Sequence, residues 1–160
     1  MKKQFLKLAA VMALALGIQA TAHAGSVSAT STVTINYAGA CTIAAGNPSI
    51  AYAGEDISST ADVTVNCSNG LAWTLTADGG LNANGELRRG KQGTEYLSYR
   101  LFKDAGLTQE VGVTSNTMAT GTGNAANQIT TAYFAVKVAD NAGNPTVGDY
   151  PDTLGWNLTF

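Results

Sequence analysis

Three observations on the 160-residue chain predict an all-β sandwich of immunoglobulin-like type. Apolar and polar residues alternate with a period of two in run after run. Beyond the N-terminal leader, no stretch carries the 3.6-residue period of an amphipathic helix. Gly, Asn and Thr fill the gaps between runs, and about seven short strands at such spacing suit one sandwich domain. Features at the two ends further predict a sandwich that is incomplete and is completed by a donor strand from a neighbouring subunit.

Residues 1–24 read as a signal peptide. Lys2, Lys3 and Lys7 form a positive n-region, Leu8 to Ile18 is an apolar run short for a bilayer span, and Ala22-His23-Ala24 offers a small-x-small cleavage pattern. The mature chain is expected to be exported and to start at Gly25. Without the leader, six Lys and Arg face eleven Asp and Glu, a net charge of −5. That balance argues against a nucleic-acid partner, since nothing would neutralise phosphates.

Residues 25–37 form a segment of their own. Val27, Ala29, Ser31, Val33, Ile35 and Tyr37 occupy its odd positions, while Ser28, Thr30, Thr32, Thr34 and Asn36 occupy the even ones. This alternation with β-branched residues predicts a strand with one buried face, followed by a break at Ala38-Gly39-Ala40. The domain proper is read over residues 38–160.

Its first strand begins at Ala40-Cys41-Thr42-Ile43, turns at Asn47-Pro48 and continues as a short edge segment over Ile50 to Tyr52. The next runs from Ala61 to Cys67, with Ala61, Val63, Val65 and Cys67 on one side. Cys41 and Cys67 are the only cysteines, and an even count in an exported chain predicts one structural disulfide. It closes a loop of about 27 residues, worth roughly 3–4 kcal/mol by chain entropy. Asn69-Gly70 predicts a hairpin into Leu71 to Ala77, where Leu71, Trp73, Leu75 and Ala77 share a face.

Asp78 to Gly93 reads as a polar loop, and Arg88-Arg89-Gly90-Lys91 as its solvated part, since no aromatic residue sits among the cations. Tyr96 to Lys103 resumes the alternation with Leu97, Tyr99 and Leu101 on one face, and Asp104-Ala105-Gly106 turns it back into Leu107 to Val113. Residues 115–128 offer little to bury beyond Met118 and read as a flexible loop. Ile129 to Ala139 is a long strand. The oxygen-rich turn from Asp140 to Pro145 lacks the spacing and terminal Glu of a calcium loop. The last strand spans 150–160, with Tyr150, Leu154, Trp156, Leu158 and Phe160 alternating to the final residue.

The two ends fit each other. One offers an amphipathic strand, and the other an apolar strand with nothing paired beyond it. Insertion of one copy's N-terminal strand beside the next copy's last strand is β-augmentation, and the head-to-tail contact generates an open fibre. The residues predicted to carry it are Val27, Ala29, Ser31, Val33, Ile35 and Tyr37 on the donor side. Leu154, Trp156, Leu158 and Phe160 face them in the acceptor groove.

The leader, the N-terminal strand, the Cys41–Cys67 spacing and the closing Gly148-Asp149-Tyr150-x-Asp152-Thr153-x-x-x-x-Leu158-Thr159-Phe160 resemble the spore coat protein U family. More narrowly, they are similar to the major pilin subunit of archaic, Csu-type chaperone–usher pili. The resemblance implies a periplasmic chaperone that lends a strand, with the Phe160 carboxylate as its anchor. It also implies an outer-membrane usher, contacts to other pilus subunits, and a surface fibre serving cell adhesion and biofilm formation.

Two other classes compete with a fibre subunit. A monomeric secreted β-sandwich binding module, lectin-like, would use Trp73 or Trp156 with the Asn-rich loops. An enzyme is disfavoured. The only histidine, His23, lies in the leader, which removes the usual acid–base residue, zinc ligand and triad member. Glu55, Asp56 and Asp62 form the nearest carboxylate grouping and have no partner base or nucleophile. No catalytic, metal or cofactor residue is predicted.

Overall fold

The computed structural model describes residues 26–141, 143 and 145–160, so the signal-peptide reading of residues 1–24 lies outside the described residues. The chain falls into two units that part between Asn36 and Tyr37. Residues 26–36 have no regular secondary structure and every one is exposed. The expected preformed strand over 27–37 is therefore absent from the single chain. A lone strand has no ladder to close its backbone hydrogen bonds and does not persist in water.

From Tyr37 onward the described residues build two antiparallel sheets. The strands are β1 (Cys41–Ala45), β2 (Ile57–Cys67), β3 (Ala72–Ala77), β4 (Arg88–Gln92), β5 (Glu95–Phe102), β6 (Thr117–Thr122), β7 (Gln128–Val136) and β8 (Trp156–Thr159). The first sheet runs β1-β2-β7-β5-β4 and the second β6-β3-β8. One 3₁₀ turn, Val138–Asp140, is the helical element among the described residues.

The core lies between the sheets and uses the faces that the alternation marks. Val63, Val65 and Cys67 of β2 are fully buried, as are Leu75 and Ala77 of β3 and Leu101 of β5. Trp73 is a core anchor, and its indole Nε1 donates to Gln128 Oε1 at 3.0 Å. Burial of nearly the whole ring commits it chiefly to the core. The Cys41–Cys67 disulfide is formed, and the two residues stand directly opposite each other in the β1–β2 ladder.

Several expectations are corrected. Asn69-Gly70 does turn the chain, with Leu71 N donating to Ser68 O at 3.1 Å and Gly70 at φ +80°. Yet β2 and β3 belong to different sheets, so the turn is a crossing and not a hairpin. Turn chemistry reverses the chain; it does not decide which edge the next strand finds. Residues 88–92 are strand β4 and not a solvated loop. Arg88 is 1% exposed, the largest fully buried side chain.

Residues 117–122 form β6, with Met118 buried, where a flexible loop was expected. One large apolar side chain suffices there because β3 supplies the ladder and the rest of the face is solvated. Conversely, 107–113 holds no strand beyond a single Phe102–Glu110 bridge, and 50–52 none. The last strand is four residues long, since 150–155 crosses over β4 before β8 begins.

Candidate functional site

The sandwich is open along one seam, and the register shows where. Cross-strand partners share a face of the sheet. Ile43 of β1 stands opposite Val65 and Ala45 opposite Val63. Val63 and Val65 are wholly buried, whereas Ile43 is 38% exposed and Ala45 is exposed. The same asymmetry occurs across the seam. Leu158 and Trp156 of β8 pair with the fully buried Leu75 and Ala77 of β3, but are themselves only half-buried. Both β1 and β8 are edge strands, and among the described residues no strand pairs with their outer edges. Inward-facing apolar residues at two facing edges therefore lack a cover of about one strand's width.

The seam opens into a groove of about 890 Å³. Its floor is the inner face of the larger sheet: Leu97 and Tyr99 from β5, Phe134 and Val136 from β7. Ala45, Ile50 and Tyr52 flank one side, and Leu154 and Trp156 the other. Tyr99 and Phe134 pack ring to ring, with centroids 6.2 Å apart.

The second wall, residues 146–156, is pinned by side chains of the C-terminal motif. Asp152 accepts hydrogen bonds from the Tyr99 hydroxyl at 2.7 Å and the Leu81 amide at 2.9 Å. Burial, and then this bond to Asp152, push the Tyr99 phenol well above the ordinary tyrosine range. Glu95 accepts from the Thr146 amide at 2.9 Å and lies 3.0 Å from the Tyr150 hydroxyl. Those bonds, the Thr146 amide first, lower its carboxyl pKa. Lys91 N donates to Pro151 O at 3.0 Å, and Gly90 lies beneath the Tyr150 carbonyl, where a Cβ would overlap it.

Under this wall, Arg88 holds the base of β4 in place. Its guanidinium donates to the carbonyls of Asp78 at 2.8 Å, Val111 at 2.6 Å, Gly112 at 3.0 Å and Ala77 at 3.4 Å. Desolvation lowers its pKa, and the fan of carbonyl dipoles compensates the buried charge without a carboxylate in contact. The Asp140 turn is likewise committed internally, because its carboxylate grips Arg100 at 2.6 and 2.7 Å.

The sequence-marked residues distribute as follows. Leu154 and Trp156 line the groove, and Leu158 packs half-buried on the core. Phe160 is exposed and borders a separate shallow depression with Trp73 and Thr120. On the other side of the pairing, Val27, Val33 and Ile35 are fully or largely exposed, as are Ala29 and Ser31. Tyr37 lies in the sandwich unit, with its hydroxyl oxygen 3.3 Å from Ser68 Oγ. Sequence reasoning missed the groove floor. Alternation put Leu97 and Tyr99 on one face and gave Phe134 none, and a residue's face does not reveal whether another layer covers it.

Comparison with known proteins agrees with this architecture. Residues 27–157 match the Spore Coat Protein U domain. No curated protein sequence matches the chain. Among solved structures, a chain of the CsuC–CsuE chaperone–tip adhesion subunit pre-assembly complex, from archaic chaperone–usher Csu pili of Acinetobacter baumannii, superposes with a TM-score of 0.55 at 17% identity. The match covers 77% of the present chain and 40% of that one, and at this identity the likeness is one of fold. A family match running from the exposed N-terminal segment into β8 leaves one conclusion: the chain belongs to the Spore Coat Protein U domain family.

Proposed function

We propose that the chain is a structural subunit of a surface pilus assembled by the chaperone–usher pathway through donor-strand exchange. The observation that carries this is the uncovered seam: inward-facing Ile43 and half-buried Trp156 and Leu158 at two unpaired edges. A strand inserted there buries these side chains and satisfies the free backbone groups of both edges.

The donor is residues 27–37 of a second copy. That segment carries an apolar alternation with no buried face of its own, and its Val33 and Ile35 stand exposed. Burying each contributes about 1.5–3 kcal/mol, to which the ladder adds. The contact is heterologous, so each copy donates to one neighbour and accepts from the other. Residues 1–24 direct export, a periplasmic chaperone covers the seam before assembly, and an outer-membrane usher passes subunits to the cell surface. The fibre serves attachment and biofilm formation. Membership of the family and the fold shared with a Csu pilus complex support this reading.

The test compares residues 37–160 alone with the same fragment plus a synthetic peptide of residues 25–36. The expected result is an unstable or aggregating fragment that gains a cooperative melt at much higher temperature with the peptide. A stable monomer indifferent to the peptide would replace the fibre reading with a secreted binding module.

A further inference from the structure

Two of the cations that the fibre reading leaves unused, Arg89 and Lys91, share one surface. In β4, Arg88 and Gly90 face inward, so Arg89 and Lys91 face outward on the edge strand of the larger sheet. The ladder sets Lys91 opposite Tyr96 and Arg89 opposite Ser98. Pairing thus places an aromatic ring among the cations, which the linear sequence does not. The Arg89 guanidinium lies 4.1 Å from the Tyr96 ring centroid, and Lys91 Nζ lies 5.6 Å from it.

Neither cation has an acidic partner among the described residues. The ion pairs among the described residues belong to Arg100, which engages Glu110 and Asp140. Glu95, next to Tyr96, gives its oxygens to Thr146 and Tyr150. Arg89 donates from Nε to the Asn82 carbonyl at 2.8 Å, which, with the ring, orients the guanidinium and leaves its Nη groups without a partner among the described residues.

From this arrangement we infer that Arg89, Lys91 and Tyr96 form a binding site for an acidic polysaccharide bearing carboxylates. Two cations at i and i+2 on one strand face are about 7 Å apart, a spacing that engages separated carboxylates along a chain. The planar Arg fork accepts a carboxylate in two bonds, and the ring edge of Tyr96 offers an apolar flank to a sugar. Net negative charge on the mature chain disfavours a partner as densely charged as nucleic acid. A sparse polyanion is held locally without strong repulsion from the rest of the molecule.

The purified exported protein, wild type and variants, is passed over immobilised polygalacturonate at low and physiological salt. Neutral dextran and a single-stranded oligonucleotide serve as comparison probes. The expected result is salt-sensitive retention on polygalacturonate and none on dextran. R89S/K91S should weaken binding about tenfold. K103S/K137S removes the same charge elsewhere and should leave binding intact. R89Q and K91Q, each with its long stem retained, should show partial losses if the double variant does not fold. Equal loss in both charge pairs, no retention by the wild type, or preference for the oligonucleotide at equal charge would each overturn the assignment. Polymer formation measured in the same variants reads the fibre proposal separately, because the patch belongs to the single chain.

Discussion

Substitution of Ile35, set against its neighbour Thr34, tests donor-strand insertion at the level of a single face. Ile35 is 89% exposed in the chain and Thr34 is exposed too, so neither contributes to the stability of the single molecule. Both should leave the melting of unassembled protein within about 0.5 kcal/mol. Assembly separates them. With odd positions facing the groove, Ile35→Ala loses the transfer energy of three carbons and leaves a cavity, about 2–5 kcal/mol. Fibre dissociation then rises by roughly 30-fold to several thousand-fold. Ile35→Asp places an unpaired carboxylate against Leu154, Trp156 and the aromatic floor, and costs several kcal/mol more. Assembly should fail while export continues. Thr34→Asp faces solvent in the same strand and should assemble normally. The assay is the release of subunits from purified fibres heated in steps and resolved by gel, with the melting of the single chain measured in parallel. Normal fibres from Ile35→Asp together with failure of Thr34→Asp would mean a register shifted by one residue. Normal fibres from both would refute insertion of this segment.

Other perturbations probe the scaffold around the groove. Arg88→Met strands four carbonyl acceptors beneath β4 at about 1–3 kcal/mol each, offset in part by removal of a buried charge, so the fold should lose several kcal/mol, read as a fall in Tm of the assembled protein. Gly90→Ala drives a methyl group into the Tyr150 carbonyl and should displace the 150–152 wall at a cost of about 1–3 kcal/mol, with weaker capture of the 25–36 peptide. Hydrogen bonds from Thr114, Thr146, Gln109 and Arg100, respectively, hold Glu86, Glu95, Asp104 and Asp140 below their ordinary range. Their contribution is present above about pH 4 and is lost as pH falls through the depressed folded values, so melts taken down an acid series should fall progressively once the pH drops below about 4. Tyr99 is shifted the other way; its contribution holds below about pH 10 and is lost above, where Tyr99→Phe should flatten the alkaline decline.

What the linear chain determined by itself was local. Period-two alternation marked the inward faces of β2, β3 and β5, and two cysteines behind a sequence read as an export signal marked the disulfide. The exposed apolar alternation of 27–35 was equally legible, because a strand's amphipathicity is written in its own residues. Tertiary structure decided what depends on a partner edge. Asn69-Gly70 reads the same whether the next strand returns to its own sheet or crosses to the other. Arg88 reads as a solvated cation until four distant carbonyls converge on it, and Arg89 and Lys91 gain Tyr96 only through the β4–β5 ladder. Ile43 carries the same pattern as the buried Val65 opposite it, and it is an open site only because no strand among the described residues covers the space between β1 and β8. Alternation specifies a face, which is a property of one strand; cover and pairing are properties of two, and they are set by contacts far apart in the chain.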